Sequence, residues 1–290
     1  MTVTEVGAMG DRPGPVLVTG ANSGFGLAAT LRFAARGWDT WGTVRSKAKA
    51  KVLRDAARAA GVAERVHPLV LDVSDHDAVV RAWPKLPPFY AVVNNAGYSE
   101  LGAVEEVDAA AAKAQLDVNL VAPAVVASCA LPAMRERRDG RIVMISSIAG
   151  RASVLPLNAW YHASKFGLEA LSDVLRMEVA GFGVKVIVVE PGFFKTDIER
   201  RAQDQAAERG DARADSPYHA AYGRAGQLAG AIASVAPPPD RVARTIVSAV
   251  EARRPQQRYL VGVDALAIAS LEPVLPRPLT DALMRFAAKL

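Results

Sequence analysis

Tyr161 and Lys165 are the residues whose types and spacing most clearly suggest chemistry. They lie four residues apart in WYHASKFG, residues 160–167, where the pattern predicts a helix. That spacing places both side chains on one helical face, one turn apart. Each group alone keeps its proton to about pH 10, but a nearby positive charge lowers the pKa of a phenol. The pair could therefore transfer protons, although the same spacing also occurs in helices that only pack.

A glycine-rich turn, TGANSGFG at 19–26, follows the predicted strand PVLVTG at 15–20 and leads into a predicted helix. Its glycines at 20, 24 and 26 allow backbone N–H groups and the positive end of that helix to approach a phosphate. An ordinary strand-to-helix turn also uses glycine. The turn therefore favours a dinucleotide site without requiring one.

The end of the second predicted strand should meet the adenosine ribose of such a dinucleotide. An acidic residue there would favour NAD, but GTVRS at 42–46 contains no carboxylate. Arg45 can instead meet a 2′-phosphate, so we expect NADP(H) in preference to NAD(H). A surface arginine at a strand end is the alternative. Asp72, at the end of the third predicted strand, could accept from the adenine amino group, cap the following helix, or do both.

Strand-like and helix-like stretches alternate along the chain, and the β-branched runs indicate strands buried on both faces. This pattern predicts the α/β class, a Rossmann-type doubly wound parallel sheet with helices on both faces in a single domain. Strands are expected at 15–20, 39–45, 65–75, 89–97, 140–147, 184–192 and 258–262. Helices are expected at 26–37, 46–61, 75–83, 108–137, 158–180 and 241–253.

The sequence pattern divides the chain into four predicted segments. Residues 1–13 are expected to form a flexible tail, and 14–262 to form the NADP-binding catalytic domain. Within that domain the polar, alanine-rich segment 196–235 is a candidate substrate lid. Residues 263–290 are expected to form a helical extension whose last turns are amphipathic, and packing is favoured there over contact with a membrane surface.

Polar side chains at the strand ends should share one crevice. NNAG at 94–97 ends the fourth predicted strand, and Ser146 and Ser147 end the fifth. Parallel strand ends converge at one edge of a sheet, where ligands bind. Asn119 lies inside a predicted helix, although asparagine is not an especially favourable helix former.

The overall composition narrows the classes of function. The chain has 290 residues and a net charge of +5, with basic residues scattered among acidic ones, so we expect no nucleic-acid partner. Cys129 is the single cysteine, which excludes an internal disulfide and fits a reducing cytoplasm. The first residues lack a signal-peptide pattern, and no apolar run is expected to reach membrane length. We expect no metal site and no stable membrane insertion.

These motifs together resemble the short-chain dehydrogenase/reductase family in its short single-domain form, over residues 14–262. The resemblance rests on TGxxxGxG at 19–26, NNAG, the mid-helix Asn119, the strand-end Ser147, YxxxK at 161–165, and PG at 191–192 followed by Thr196. It implies a catalytic tetrad of Asn119, Ser147, Tyr161 and Lys165. It also implies cofactor contacts by Gly20, Asn22, Ser23, Gly24, Phe25, Gly26, Arg45, Asp72, Val73, Asn95, Ala96, Gly97, Tyr161, Lys165, Pro191, Gly192, Phe194 and Thr196.

Within the family, Phe25 and the surroundings of Tyr161 look most like the hydroxysteroid and retinol dehydrogenase branch. The resemblance therefore implies an NADP-dependent oxidoreductase acting on a carbonyl or alcohol, with a bulky apolar substrate. Ser147 is favoured over Ser146 because it directly precedes IAG. Members commonly assemble as homodimers or homotetramers. A catalytically silent NADP-binding sensor is the alternative from another class.

Overall fold

The computed structural model describes residues 14–153, 155–196, 204 and 215–290. The predicted N-terminal tail, 1–13, lies outside the described residues. So do 197–203 and 205–214, which make up much of the candidate lid.

Seven parallel strands form one sheet in the order β3-β2-β1-β4-β5-β6-β7. The strand order reverses between β1 and β4, which is where open parallel sheets bind ligands. The Rossmann-type doubly wound fold predicted from the sequence is confirmed. The strands are β1 (Val16–Val18), β2 (Thr40–Val44), β3 (Val66–Val70), β4 (Ala91–Asn94), β5 (Gly140–Ile145), β6 (Val184–Pro191) and β7 (Arg258–Val261).

Helices connect the strands and follow the last one. They are α1 (Gly24–Ala35), α2 (Lys47–Ala59), α3 (His76–Ala82), α4 (Ala109–Leu116), α5 (Ala122–Glu136), α6 (Ala159–Val179), α7 (His219–Val235), α8 (Asp240–Glu251), α9 (Val263–Leu271) and α10 (Arg277–Ala288). A π-helical turn, Asp117–Val121, joins α4 to α5.

The core has two layers because successive side chains of a strand point to opposite faces of the sheet. Val16 and Val18 of β1 pack with Phe33 of α1 on one face. Leu17, between them, packs with Met134 of α5 on the other face. Helices therefore cover both faces, and the sheet fixes where each helix begins relative to the strand ends.

The helix α7 was not expected from the sequence, where its segment reads as part of a polar lid. Ala221, Ala225, Leu228 and Ile232 recur at helical spacing within it. Ala221 and Tyr222 are buried against Leu101 and neighbouring residues of the loops after β4 and β5. Residues 219–235 of the candidate lid thus form a helix packed over the carboxyl edge of the sheet.

The continuous helix Ala109–Glu136 is long and apolar enough, by length and composition, to cross a membrane. The expectation that no apolar run reaches that length is therefore wrong for this helix. Core helices of soluble proteins pass the same test, and Val126, Ala130 and Met134 of this helix pack against the sheet. Composition alone is weak evidence for a membrane span here.

Candidate active site

A cavity of about 570 Å³ opens at the carboxyl ends of the strands, across the point where the strand order reverses. Most of the residues predicted to bind a cofactor or to act in catalysis line it. They are Gly20, Asn22, Ser23, Gly24, Phe25, Arg45, Asp72, Val73, Asn95, Ala96, Gly97, Ser147, Tyr161, Lys165, Pro191, Gly192 and Thr196.

The glycine turn leaves the N-terminus of α1 sterically open to a phosphate. Gly20 and Gly24 have φ values of +67° and +53°, a region that favours glycine. A Cβ atom on Gly26 would lie 2.4 Å from the carbonyl oxygen of Gly20, so only glycine fits there. The first turn of α1 has no acidic residue, and its N-cap, Ser23, makes no side-chain capping bond. These features suit an anion at the helix N-terminus.

Hydrogen bonds tie the NNAG segment to this turn. The Thr19 hydroxyl accepts from the backbone N–H groups of Asn95 and Ala96, each at 2.9 Å. The Asn95 side-chain amide donates to the carbonyl of Thr19 at 2.8 Å and to that of Gly20 at 3.3 Å. Asn95 therefore holds the ends of β1 and β4 together, in addition to lining the cavity.

Asn119 lies in the π-helical turn and is fully buried. Its Oδ1 accepts from the N–H of Tyr98 at 3.0 Å, and its Nδ2 donates to the Tyr98 carbonyl at 2.8 Å and to Ser164 Oγ at 3.0 Å. A Cβ atom on Gly97 would lie 3.1 Å from Asn119 Oδ1 and 3.7 Å from Lys165 Nζ. The π turn thus brings the asparagine between the β4 loop and α6, behind the cavity wall. Such turns are frequent at functional sites.

Tyr161 and Lys165 face the cavity from one side of α6, as their spacing predicts. The Lys165 ammonium is 5.7 Å from the centre of the Tyr161 ring and donates to the Ile145 carbonyl at 2.9 Å. Lys165 is only 5% exposed, and this burial lowers its pKa to about 8. The negative charge of Glu169, one turn further along α6, acts in the opposite direction and raises that pKa.

Two other features fix the loop after β5 beside Tyr161. Ser147 caps the short turn Ile148–Gly150, its Oγ accepting from Ala149 N at 3.1 Å. His162 Nδ1 lies 2.8 Å from the Ala149 carbonyl, and its Nε2 accepts from Leu155 N at 3.3 Å. This pattern requires a neutral ring protonated at Nδ1, and burial lowers the His162 pKa accordingly. His162 is a packing residue that clamps the loop to α6.

An ion-pair cluster built on two buried carboxylates, those of Glu169 and Glu190, lies behind the lysine. Arg258, at the start of β7, bridges the carboxylates of Glu169 and Glu190, and its Nη1 is 2.7 Å from Glu190 Oε1. Its Nη2 lies 2.7 Å from both oxygens of Asp173. Arg151 reaches Glu190 Oε2 at 3.2 Å. Glu190 is fully buried, and burial raises the pKa of Glu169. The cluster joins α6, β6 and β7 directly behind the Tyr–Lys pair.

The segment after β6 approaches the glycine turn from across the cavity. A Cβ atom on Gly24 would lie 3.6 Å from Thr196 Cβ, and the rings of Phe25 and Phe194 meet edge to face at 5.8 Å. Phe193 lines the cavity, whereas the side chain of Phe194 is fully buried in the core. The Phe194 side chain therefore does not reach the cavity, because it packs inward against Phe25.

Two basic side chains stand at the other end of the cavity. Arg45 and Lys49 are exposed, line the cavity, and have no ion-pair partner among the residues that the structure describes. Asp72 also lines it, and its Oδ1 accepts from Ser74 N at 3.0 Å and Ser74 Oγ at 2.8 Å. The suggestion that Asp72 caps the next helix is wrong: Asp75 caps α3, accepting from Ala78 N at 2.8 Å.

Sequence reasoning missed the outer wall of the cavity. Helix α7 contributes Leu228 and Ile232, and the C-terminal extension contributes Ile268 of α9 and Met284 of α10. The helical spacing of small and apolar residues in 221–232 was the available signal for α7. Nothing local indicates that 263–290 returns to the cavity.

The predicted residues fall into two groups in space. Most line the cavity. Gly26, Asn119 and Phe194 lie behind the cavity wall, where they help to position the backbone that lines the cavity. Their assignments to catalysis or cofactor binding stay predictions. No group of three or more His, Cys, Asp or Glu side chains suited to a metal ion occurs in the described parts of the chain.

Comparison with known proteins identifies the family. Residues 15–207 match the family model described as short chain dehydrogenase. Human retinol dehydrogenase 5 is 32% identical over 284 residues, covering 93% of this chain and 87% of that protein. An NADPH-dependent 3-dehydrocapnine reductase from Ornithobacterium rhinotracheale is 29% identical over 275 residues, covering 91% and 94%. The crystal structure of a short-chain dehydrogenase from Streptomyces avermitilis superimposes with a TM-score of 0.74 at 29% identity, covering 91% and 94%. The chain therefore belongs to the short-chain dehydrogenase/reductase family of oxidoreductases.

Proposed function

We propose that this protein transfers hydride between NADP(H) and a bulky apolar carbonyl compound or alcohol. The observation that carries the proposal is that one cavity holds both the glycine turn and the Tyr161–Lys165 pair, under an apolar outer wall. The glycine turn provides for the cofactor phosphates, and the pair provides for proton transfer. The wall provides a surface for an apolar substrate.

Tyr161 is the proposed general acid in carbonyl reduction and the general base in alcohol oxidation. NADP(H), when bound, supplies or accepts the hydride. In reduction the carbonyl carbon gains the hydride and the oxygen takes the phenolic proton, so that an alcohol and a phenolate remain. Solvent then returns a proton to Tyr161. Oxidation reverses each transfer.

The neighbouring residues make that proton transfer accessible near neutral pH. The Lys165 ammonium favours the phenolate form of Tyr161, which lowers the free energy of the proton transfer. Ser147 Oγ is proposed to donate to the carbonyl oxygen as negative charge develops there. Asn119 is proposed to position the β4 loop and α6 and to hold a water for proton exchange. Both hydrogens of the Asn119 amide already donate to Tyr98 and Ser164. The proposed water would therefore bind to Asn119 Oδ1 or to the Asn119 backbone.

The substrate class follows from the wall of the cavity. Leu228, Ile232, Ile268 and Met284 offer aliphatic and thioether surface without charge, which favours burial of an apolar molecule. Retinol dehydrogenase 5, as named, acts on an alcohol of that kind, which supports this part of the proposal.

Preference for NADP(H) is proposed from the basic end of the cavity. Arg45 and Lys49 present positive charge where the second strand ends, and GTVRS has no competing carboxylate. The relative named NADPH-dependent 3-dehydrocapnine reductase supports the same preference.

We also propose a cytoplasmic homodimer or homotetramer formed through α5 and α6. Phe166, Val174 and Met177 leave an exposed apolar stripe on α6, with Met177 68% exposed. A patch of this kind marks an interaction surface. Sedimentation equilibrium should give two or four times the 30.7 kDa chain mass, and Val174→Glu should shift the mass toward that of the monomer. A monomeric wild-type protein would contradict this assembly.

Replacing Tyr161 by phenylalanine tests the proposed reaction. Tyr161→Phe should lower kcat by about 10²- to 10⁴-fold because the proton donor is lost, while NADPH binding is retained. NADPH oxidation is followed by absorbance with a panel of aliphatic ketones, steroid ketones and long-chain aldehydes. Tyr259→Phe, on β7, is the control for loss of a phenol elsewhere. Wild-type kcat in Tyr161→Phe would refute the mechanism, and no turnover by wild type on the whole panel would favour a sensor.

Reversing the charge of Arg45 tests cofactor preference. Arg45→Asp should move the ratio of kcat/KM for NADPH to that for NADH toward NADH by about 10- to 100-fold, the range for a lost charge-assisted contact. Arg54→Asp makes the same charge change on the exposed side of α2 and should leave the ratio near wild type. An unchanged ratio in Arg45→Asp would remove this residue from the 2′-phosphate site.

The pH dependence of reduction tests the charge behind the Tyr–Lys pair. Lys165 lies beside Tyr161 and is affected by the charge of Glu169, both on α6. Arg258 of β7 binds Glu169 and Glu190 of β6, and Arg151, after β5, also binds Glu190. Glu169→Gln removes a negative charge, which eases proton loss from either member of the pair. The alkaline fall in kcat/KM should therefore begin about one pH unit lower.

Glu178→Gln provides the matched control for this shift. Glu178 is exposed near the end of the same helix, so its loss should leave the pH profile unchanged. An alkaline limb at the wild-type position in Glu169→Gln, with normal folding, would show that the cluster does not tune the pair.

A further inference from the structure

Asp264 links the C-terminal extension to the turn that follows β6. It lies in the first turn of α9, and its Oδ2 accepts from the backbone N–H of Phe193 at 2.6 Å. The same turn is fastened to β7, where Gly192 N donates to the Val261 carbonyl at 2.9 Å. Asp264 therefore adds a side-chain anchor next to a backbone one.

The carboxylate occupies space that two glycines leave open. A Cβ atom on Gly192 would lie 2.1 Å from Asp264 Oδ2, and one on Gly262 would lie 2.4 Å from Oδ1. Real Cβ atoms do not come so close to an oxygen. Any side chain at either position would displace the carboxylate from its hydrogen bond. The two glycines and the aspartate thus form one packed unit around the Phe193 N–H group.

Residues further along the same extension form part of the cavity wall. Ile268 of α9 and Met284 and Ala287 of α10 line the cavity. The Arg224 side chain of α7 donates through Nε to the Ala287 carbonyl of α10 at 3.1 Å, which joins two of the helices that form the wall. One segment therefore contacts the turn at Gly192 through Asp264 and the proposed substrate space through its apolar residues.

We propose that Asp264 is a positioning residue: it fixes the 191–193 turn, which would contact the nicotinamide half of the proposed cofactor, and it couples this turn to the substrate wall. This inference rests on the proposed function, because that turn has a ligand only if a nicotinamide cofactor binds. Asp264 acts through the backbone of Phe193 and has no part in proton transfer. Its loss leaves the N–H group without its acceptor and lets the turn move independently of the extension.

Calorimetric titration with NADPH and with 2′-phospho-ADP-ribose tests the inference. Asp264→Ala should weaken NADPH binding about tenfold, the effect of one unmade hydrogen bond. It should leave 2′-phospho-ADP-ribose binding unchanged, since that fragment lacks the nicotinamide. Asp264→Asn keeps an acceptor oxygen and should bind NADPH within about threefold of wild type. Asp281→Ala, on the exposed surface of α10, is the control for loss of a charge from the extension.

Gly192→Ala gives a second measurement that does not depend on Asp264→Ala being well folded, and a double-mutant cycle then combines the two changes. Gly192→Ala should displace the carboxylate and weaken NADPH binding as Asp264→Ala does. The double variant should bind NADPH with about the same affinity as the single variant that binds it less tightly, because both changes break the same contact. Additive losses would overturn the inference.

The outcomes separate this inference from the proposed function. Wild-type protein that binds neither NADPH nor NADH would refute the proposed function. Wild-type protein that binds NADPH, with Asp264→Ala and Asp281→Ala indistinguishable, would refute only the role of Asp264. Equal weakening of NADPH and 2′-phospho-ADP-ribose by Asp264→Ala would show a general structural effect and would also overturn it.

Discussion

The burial of the Lys165 ammonium is the constraint on which the site depends. A buried charge is costly unless hydrogen bonds and an opposite charge compensate it. The Ile145 carbonyl accepts from Nζ, and Glu169 supplies negative charge one turn along the helix. Glu169 is itself buried and is held by Arg258 of β7. A single ammonium on α6 is thus supported by Ile145 at the end of β5 and, through Glu169, by Arg258 at the start of β7.

A second constraint is the close approach of the first and fourth strand ends. The Thr19 hydroxyl receives two N–H groups from the β4 loop, and the Asn95 amide returns two hydrogen bonds to the glycine turn. These partners are more than seventy residues apart in sequence. Their contact leaves no room for a side chain at Gly26, so the glycine that suits a phosphate also permits the strand ends to meet.

The sequence predicts the sheet and most helices because buried β-branched runs and helical periodicity are local signals. Strand ends are less predictable: 65–75 is expected as a strand, but β3 is Val66–Val70, since the ladder stops where the chain bends toward the cavity. Asp72 and Asp75 are both aspartates just before α3, and residue type alone does not show that Asp75 is the one that caps the helix. Helix α7 escapes prediction because charged and polar residues surround its short apolar pattern.

The site is predictable where one motif carries both residue type and position, as with Tyr161 and Lys165. It is not predictable where distant segments meet. Nothing in the local sequence shows that Asp264 reaches Phe193, or that Met284 returns to the cavity. The partners in these contacts are more than seventy residues apart in sequence. One partner lies in the C-terminal extension, which is outside the repeating strand–helix pattern.

The two kinds of contact occur in different parts of the molecule. The sheet edge carries the glycine turn, the residues predicted to form the tetrad, and the buried charges of Lys165 and Glu169, which are held by backbone and ion-pair contacts. The wall formed by α7 and the extension uses apolar packing, which tolerates exchange of side chains more readily than buried polar networks do. Relatives named for retinol and for 3-dehydrocapnine align over most of this chain. An apolar wall that tolerates exchange of side chains, beside a sheet edge fixed by polar contacts, is one physical route by which a single fold can serve different substrates.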